Sequence, residues 1–174
     1  MDKIIGFIGC GNMARAMIGG IIKSNLLMAK NIIASATTKE TLENVKALYG
    51  IRTSLDNKEI VKESDYIIIA VKPYMYDKVL DEIKDYIKDG QIIIGIAAGI
   101  SIDYMKSILG KDVSVVKAMP NTPAMIGAGM TALAFDETID VIRREEVISI
   151  FNSFGKCEIL DEGLMDAFTA LCGS

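Results

Sequence analysis

IIGFIGCGNMA, residues 4–14 of the chain, is the segment that decides the fold. Its apolar first half, residues 4–8, predicts a buried strand. The remainder is a G-x-G-x-x-A pattern that opens a helix: Gly9 allows a tight turn, Gly11 lets the backbone approach a pyrophosphate, and Ala14 permits close packing of helix on strand. This order predicts a dinucleotide-binding unit, the alternative being a tight turn that binds nothing.

Outward from this unit, short β-branched runs alternate with longer amphipathic stretches, the pattern of a parallel sheet wrapped by helices. Further strands are predicted at 31–36, 52–53, 66–71, 91–96, 113–118, 130–135 and 156–160, and helices at 13–24, 39–49, 58–62, 74–88, 101–109 and 139–154. The fold class is therefore α/β: a Rossmann-type, doubly wound, mainly parallel sheet of about eight strands with helices on both faces. The last two strands are expected to extend or edge the sheet. Residues 1–160 are assigned to an NAD(P)-binding domain and residues 161–174 to the start of a final helix.

Length and composition restrict the class of protein. The chain has 174 residues, 51% of them hydrophobic and 24% charged, which excludes a disordered chain and leaves room for one domain. A net charge of −4, with no basic run longer than two residues, argues against nucleic acid as a partner. No apolar stretch approaches membrane-spanning length and no secretory signal is evident, so we expect no membrane partner and a cytoplasmic location.

Cysteine and histidine usage argues against a metal site or a disulfide framework. The cysteines are Cys10, Cys157 and Cys172, an odd and widely spaced set, and the chain has no histidine. Reduced thiols in the cytoplasm fit this pattern. The commonest general acid/base and the commonest metal ligand are both absent, and no metal is expected.

The end of the predicted second strand indicates which dinucleotide would bind. An NAD site usually has an acidic residue here to hold the ribose 2′-hydroxyl, but residues 35–39 read SATTK and the first acid is Glu40, on the next helix. Small hydroxyl groups and one cation suit a 2′-phosphate. NADP, as NADPH, is therefore preferred, and NADH is the second choice. Alternatively, Thr37 and Thr38 merely cap the helix.

Three more segments end predicted strands, where ligands bind in open α/β sheets. Residues 70–73 read AVKP, in which the proline ends the strand and holds Lys72 extended. Residues 97–99 read AAG and are too small to obstruct a nicotinamide or ribose. Residues 119–124 read MPNTPA, whose prolines fix Asn121 and Thr122 at the same edge. Each segment has an alternative interpretation as a packing or turn feature, and for the third we favour a substrate-side role.

Together these motifs resemble the pyrroline-5-carboxylate reductase family in order and spacing. The end of the chain, DAFTALCGS at 166–174, is similar to the family's D-A-x-T-x-L-S-G-S-G-P-A-Y segment cut before its last four residues, with Cys172 in place of a small hydroxyl residue. The resemblance covers essentially the whole chain. It implies an NAD(P)H-dependent imine reductase that transfers hydride to the C=N of 1-pyrroline-5-carboxylate to give L-proline, the last step of proline biosynthesis.

The resemblance also implies a set of site residues. The cofactor contacts would be Ile8, Gly9, Cys10, Gly11, Asn12, Met13, Ser35, Thr37, Asn57, Ala70, Val71, Lys72, Pro73, Ala97, Ala98 and Gly99. The substrate side, which would receive a small-molecule imine, would include Asn121, Thr122 and Glu162. No catalytic residue is assigned. A protonated imine is already electrophilic, so a chain without histidine can belong to a reductase.

Members of this family carry a further all-helical domain that resembles a dimerisation unit. We therefore expect this chain to be the cofactor-binding half of a homo-oligomeric enzyme, with low activity of its own and with Met165, Phe168 and Leu171 exposed on its final helix. The alternatives are another NADP-dependent oxidoreductase, of the β-hydroxyacid dehydrogenase or coenzyme F420-linked type, and a non-catalytic nucleotide-binding module.

Overall fold

The structure is a computed structural model and describes residues 3–172. Its strands form one sheet in the spatial order β3-β2-β1-β4-β5-β6-β7-β8. Their bounds are Ile5–Ile8 (β1), Ile32–Ser35 (β2), Arg52–Ser54 (β3), Tyr66–Ile69 (β4), Ile92–Gly95 (β5), Ser114–Met119 (β6), Gly129–Phe135 (β7) and Gly155–Ile159 (β8). The chain runs outward from β1 to β3 and then returns to β4 on the other side of β1. The switch point of a doubly wound sheet therefore lies between β1 and β4.

The helices follow the predicted alternation. They are Asn12–Lys23 (α1), Lys39–Tyr49 (α2), Asn57–Glu63 (α3), Tyr76–Ile83 (α4), Ile102–Leu109 (α5), Val141–Asn152 (α6) and Met165–Cys172 (α7). The helix predicted at 74–88 is shorter than expected, because 3-10 turns flank α4 on both sides. Pro73 opens the first turn, and Ile87 takes an extended conformation after the second.

Apolar side chains cover both faces of the sheet, as the fold class requires. One face packs against α1, α2 and α6, and buries Phe7 of β1, Met17 of α1 and Phe151 of α6. The opposite face packs against α3, α4 and α5, and buries Ile60 and Leu80. The prediction of a mainly parallel sheet of about eight strands with helices on both faces is confirmed.

The last two strands extend the sheet, as predicted, but the chain changes direction there. β7 is antiparallel to β6, with Met119 opposite Ala132, and β8 is parallel to β7. The short connection between β6 and β7 holds only a 3-10 turn, Thr122–Ile126. A connection without a crossover helix suits an antiparallel neighbour.

The final helix is covered more fully than the sequence predicts. Met165 is 1% exposed and belongs to the core on the α4 face, so its expected exposure is wrong. Phe168 packs partly against the same core, whereas Leu171 is 83% exposed. The reductase-like segment ends with Gly173 and Ser174, which lie outside the described residues. Among the helices of residues 3–172, none has the length and apolar character needed to cross a membrane.

Candidate functional site

The glycine turn after β1 is wedged between the ends of β2 and β4. Gly9 has a φ of +94°, and a Cβ there would lie 2.6 Å from the carbonyl oxygen of Ala70. Its backbone N–H donates to the carbonyl oxygen of Ser35 at 3.2 Å. Only glycine adopts this conformation in this space without strain, so the tight turn predicted for Gly9 is what the structure shows.

Above Gly11 the turn opens into a space with free backbone donors. A Cβ on Gly11 would meet no atom within 4 Å. Gly11 is the N-cap of α1, which has no side-chain cap and no acidic residue in its first turn. Within residues 3–172, the backbone N–H groups of Asn12, Met13 and Ala14 have no hydrogen-bond acceptor. Unpaired N–H groups at the start of a long helix favour an anion at this place.

Cys10 stabilises this turn through its backbone carbonyl group and not through its thiol. Its side chain is buried, and burial raises the pKa of the thiol above its ordinary value, with Arg15 acting in the opposite direction. Nε of Arg15 donates to the Cys10 carbonyl oxygen at 3.2 Å, which ties the turn to α1. The thiol therefore stays neutral, and the carbonyl group helps to hold the turn.

The loop after β4 forms the other side of the switch point. The N–H of Ala70 donates to the carbonyl oxygen of Ile8 at 2.8 Å, so β1 and β4 leave the sheet together. Lys72 is exposed and extended, with φ −65° and ψ 150°, and Pro73 begins the following 3-10 turn. No ion pair engages Lys72 within the described part of the chain. The extended conformation predicted for Lys72 is confirmed, while its role remains a prediction.

Tyr76 joins the loops after β4 and β5, and the sequence reasoning missed it. Its hydroxyl donates to the carbonyl oxygen of Ile69 at 2.7 Å and accepts from the N–H groups of Ile96 and Ala97 at 3.0 and 3.2 Å. Burial raises the pKa of the phenol, so it remains protonated. The available signal was a tyrosine on the apolar face of a helix, where a buried hydroxyl needs partners.

The loop after β5 carries the small residues 97–99 and lies beside Glu162. Ala97 is buried, whereas Ala98 and Gly99 are exposed. Oε1 of Glu162 accepts from the N–H of Ile102 at 2.7 Å, so this carboxylate caps α5 next to the loop. The structure therefore brings Glu162 to the same edge of the sheet as the predicted cofactor residues.

At the end of β2, the two threonines have different surroundings. Thr38 is the N-cap of α2, and its Oγ1 accepts from the N–H of Thr41 at 3.3 Å, so the capping interpretation is correct for this residue. Thr37 is exposed, and its hydroxyl has no bond within residues 3–172. Ser35 is buried, and its Oγ donates to Oδ1 of Asn57 at 2.6 Å.

Asn121 is engaged at both ends of its carboxamide. Oδ1 accepts from the N–H of Met130 at 2.8 Å, and Nδ2 donates to the carbonyl oxygen of Cys172 at 2.9 Å. These bonds join the start of β7 to the end of α7. Thr122, by contrast, is exposed and its hydroxyl is free among the described residues. Asn121 thus holds the backbone around it, whereas the hydroxyl of Thr122 is available to a ligand.

Comparison with known proteins places this arrangement in a family. A family model described as NADP oxidoreductase coenzyme F420-dependent matches residues 4–99. The pyrroline-5-carboxylate reductase of Escherichia coli (strain K12) is 34% identical over 174 residues, which are 100% of this chain and 65% of that protein. The chain thus spans somewhat less than two thirds of that relative.

Solved structures agree with the sequence comparison. A pyrroline-5-carboxylate reductase from Coxiella burnetii superposes with a TM-score of 0.95 at 31% identity, over 100% of this chain and 65% of that one. The pyrroline carboxylate reductase of Plasmodium falciparum, solved with NADP bound, gives a TM-score of 0.88 at 28% identity, over 98% and 62%. The resemblance found in the sequence is confirmed. The chain belongs to the family described as NADP oxidoreductase coenzyme F420-dependent and is, along its whole length, a homologue of the pyrroline-5-carboxylate reductases.

Proposed function

We propose that this chain binds NADP(H) and forms the cofactor-binding part of a pyrroline-5-carboxylate reductase, which reduces the C=N of 1-pyrroline-5-carboxylate to give L-proline. The observation that carries the proposal is the set of free N–H groups at the start of α1, over the open space at Gly11 and beside the switch point. The relative with NADP bound, which aligns with 98% of the chain, supports the same assignment. Residues 1–160 would be the cofactor domain, and residues 161–174 would lead out of it.

The residues present fit such a cofactor. The N–H groups of Asn12 and Met13 would bind the pyrophosphate, with no carboxylate in the first turn of α1 to repel it. Hydroxyl and amide groups lie at the end of β2, where the adenosine ribose binds in this fold, and no acid occurs at 35–39. The proposed contacts are Ile8, Gly9, Cys10, Gly11, Asn12, Met13, Ser35, Thr37, Asn57, Ala70, Val71, Lys72, Pro73, Ala97, Ala98 and Gly99.

The main contribution of this chain to the reaction would be to align the cofactor with the imine. When bound, the cofactor supplies a hydride, and an imine protonated on nitrogen accepts it without further activation. Tyr76 holds the loops after β4 and β5 at a fixed separation, so the surfaces at 70–73 and 97–99 are positioned together. On the substrate side, Thr122 and Glu162 would face the imine, while Asn121 would hold the loop that presents Thr122.

The partners of the protein and its location in the cytoplasm are also part of the proposal. A small-molecule imine is the expected partner, and a homo-oligomer is expected for the longer relatives. The cysteines Cys10, Cys157 and Cys172 are all free thiols. Free thiols agree with a reducing cytoplasm.

Titration of the chain with NADPH and NADH, followed by nucleotide fluorescence, tests the proposal. We expect binding of both, with NADPH the tighter. Gly11→Ala should weaken NADPH binding by about tenfold or more, because its methyl group enters the pyrophosphate space and displaces charge-assisted hydrogen bonds.

The same variant separates binding from folding. Gly11 has an extended backbone, with φ −78° and ψ −169°, so alanine fits without strain and melting should change little. Gly9→Ala should instead lower the melting temperature, because its Cβ would collide with Ala70 in a left-handed conformation. Wild-type protein that binds neither nucleotide, or a Gly11→Ala variant that binds NADPH as tightly as wild type, would contradict the proposal.

A further inference from the structure

A carboxylate on α4 contacts Asn57, a residue of the proposed adenosine end of the site. Glu82 is half-buried, and its Oε2 accepts from Nδ2 of Asn57 at 3.0 Å. We infer that Glu82 is a positioning residue for the dinucleotide: it fixes the orientation of the Asn57 carboxamide, which then donates to the 2′-substituted ribose of NADP(H). This inference rests on the proposed cofactor binding and adds a residue outside the predicted site.

The side chains form a linear hydrogen-bonded chain across three elements. Ser35 ends β2, Asn57 begins α3, and Glu82 lies near the end of α4. The Ser35 hydroxyl donates to Oδ1 of Asn57 at 2.6 Å, and the opposite end of the same carboxamide reaches Glu82. Asn57 therefore sits between a buried hydroxyl at the strand end and a carboxylate that holds it from behind.

The carboxylate decides which way the amide faces. An ionised carboxylate only accepts hydrogen bonds, so Nδ2 of Asn57 must face Glu82 and Oδ1 must face Ser35. The reversed amide would set two acceptor oxygens against each other. In the observed orientation the Ser35 proton is used, and one hydrogen on Nδ2 remains without an acceptor among the described residues. That hydrogen is the donor available to a ligand oxygen.

Among the described residues, no cation forms an ion pair with Glu82. Lys84 pairs with Asp81 at 2.6 Å. Lys58 and Lys62 of α3 lie over the ring of Tyr86, at 5.2 and 4.8 Å from its centroid. Within residues 3–172, Asn57 is the hydrogen-bond partner of the Glu82 carboxylate. The half-buried carboxylate of Glu82 therefore bonds to a neutral amide and not to a cation, and its effect is to orient the Asn57 carboxamide.

The ligand chemistry follows from the position. The carboxyl end of β2 is where the adenosine ribose lies in a dinucleotide fold, and a neutral N–H donor there suits a ribose or 2′-phosphate oxygen. Without the carboxylate, the amide can turn. Glu82→Gln introduces an amide that can either donate or accept, so both orientations of the Asn57 amide become satisfied. Equal populations would halve the competent state and raise Kd about twofold.

Binding of adenosine 2′,5′-bisphosphate, NADPH and reduced nicotinamide mononucleotide to the 174-residue chain tests the inference. We expect Glu82→Ala to weaken adenosine 2′,5′-bisphosphate and NADPH by about two- to tenfold, the range of one neutral hydrogen bond, and Glu82→Gln by about twofold. Reduced nicotinamide mononucleotide, which lacks the adenosine end, should bind equally to all variants. The control is Asp81→Ala, an exposed carboxylate on the same helix, which should change none of these affinities.

A double-mutant cycle decides whether Glu82 acts through Asn57. In an Asn57→Ala background, Glu82→Ala should cause no further loss of affinity. Equal losses in both backgrounds, or an unchanged affinity of Glu82→Ala for adenosine 2′,5′-bisphosphate, would overturn the inference. Melting temperatures of all variants identify a general loss of structure, and Glu82→Gln, which keeps the side-chain size, serves if the alanine variant does not fold. Wild-type protein that binds no NADPH would instead refute the proposed function, and with it this inference.

Discussion

Removal of the Tyr76 hydroxyl should destabilise the chain far more than a tyrosine-to-phenylalanine change elsewhere. The side chain is 0% exposed, and its oxygen satisfies backbone groups of Ile69, Ile96 and Ala97. Phenylalanine fills the same volume, so the loss is polar. Each buried group left unpaired costs about 1–3 kcal/mol, and even the lower value at every group lowers the free energy of unfolding by about 3 kcal/mol. For a chain of 174 residues this corresponds to a fall in melting temperature of about 6–12 °C.

Thermal unfolding by circular dichroism measures this effect, with Tyr104→Phe as the matched control. Tyr104 is exposed, and within residues 3–172 its hydroxyl bonds only to Asp77, so we expect a change within about 0.5 kcal/mol. Below the transition, Tyr76→Phe should also bind NADPH more weakly than wild type, because the loops after β4 and β5 lose their common anchor. A Tyr76→Phe variant that melts within about 2 °C of wild type would refute the reasoning.

Three further predictions concern a helix cap, an exposed threonine beside it and an ion pair. Thr38→Ala removes the cap of α2 and should lower the free energy of unfolding by about 1 kcal/mol without changing NADPH affinity. Thr37→Ala should instead weaken NADPH binding by about two- to tenfold without changing stability. Thermal melting and NADPH titration of both variants check these expectations. Burial raises the pKa of Asp136, but hydrogen bonds from Lys106 and Thr138 outweigh it and lower the pKa overall. Since the folded pKa is depressed, the carboxylate stabilises the fold above the unfolded pKa of about 3.9 and loses this effect as pH falls through the folded pKa. Asp136→Asn should therefore be less stable than wild type at neutral pH, with a gap that closes below about pH 4 in urea unfolding; a gap that widens on acidification would contradict this.

The architecture was predictable because its signals are local. Residues 4–14 combine a strand, a glycine with positive φ and the start of a helix without a side-chain cap, and each part has a sequence signature. The helix predicted at 39–49 is α2, and Gly50, at φ +68°, is its C-cap. Hydrophobic periodicity likewise gave the alternation of strands and helices, with errors mainly at their ends.

Other features depend on contacts between distant parts of the chain. β7 runs antiparallel to β6, and the apolar pattern of a strand does not specify its direction relative to its neighbour. Met165 looks like an exposed apolar residue on a terminal helix, yet it is buried in the core on the α4 face. The bond from Asn121 to Cys172 spans 51 residues of sequence, and the bond from Ile102 to Glu162 spans 60. Single-sequence patterns carry no information on such pairs.

Hydrogen-bond saturation divides the candidate polar residues in a way that sequence cannot. Asn121 is a predicted substrate-side residue and Thr38 is one of the small hydroxyl residues at 35–39, but the polar groups of both are already paired with the protein. Thr37 and Thr122 are exposed and unpaired among the described residues, and the first N–H groups of α1 are unpaired as well. A ligand gains most from groups that folding has left unsatisfied, because no internal bond must be broken first. Cofactor and substrate contacts should therefore concentrate on the unpaired groups, while the paired ones set the distances between them.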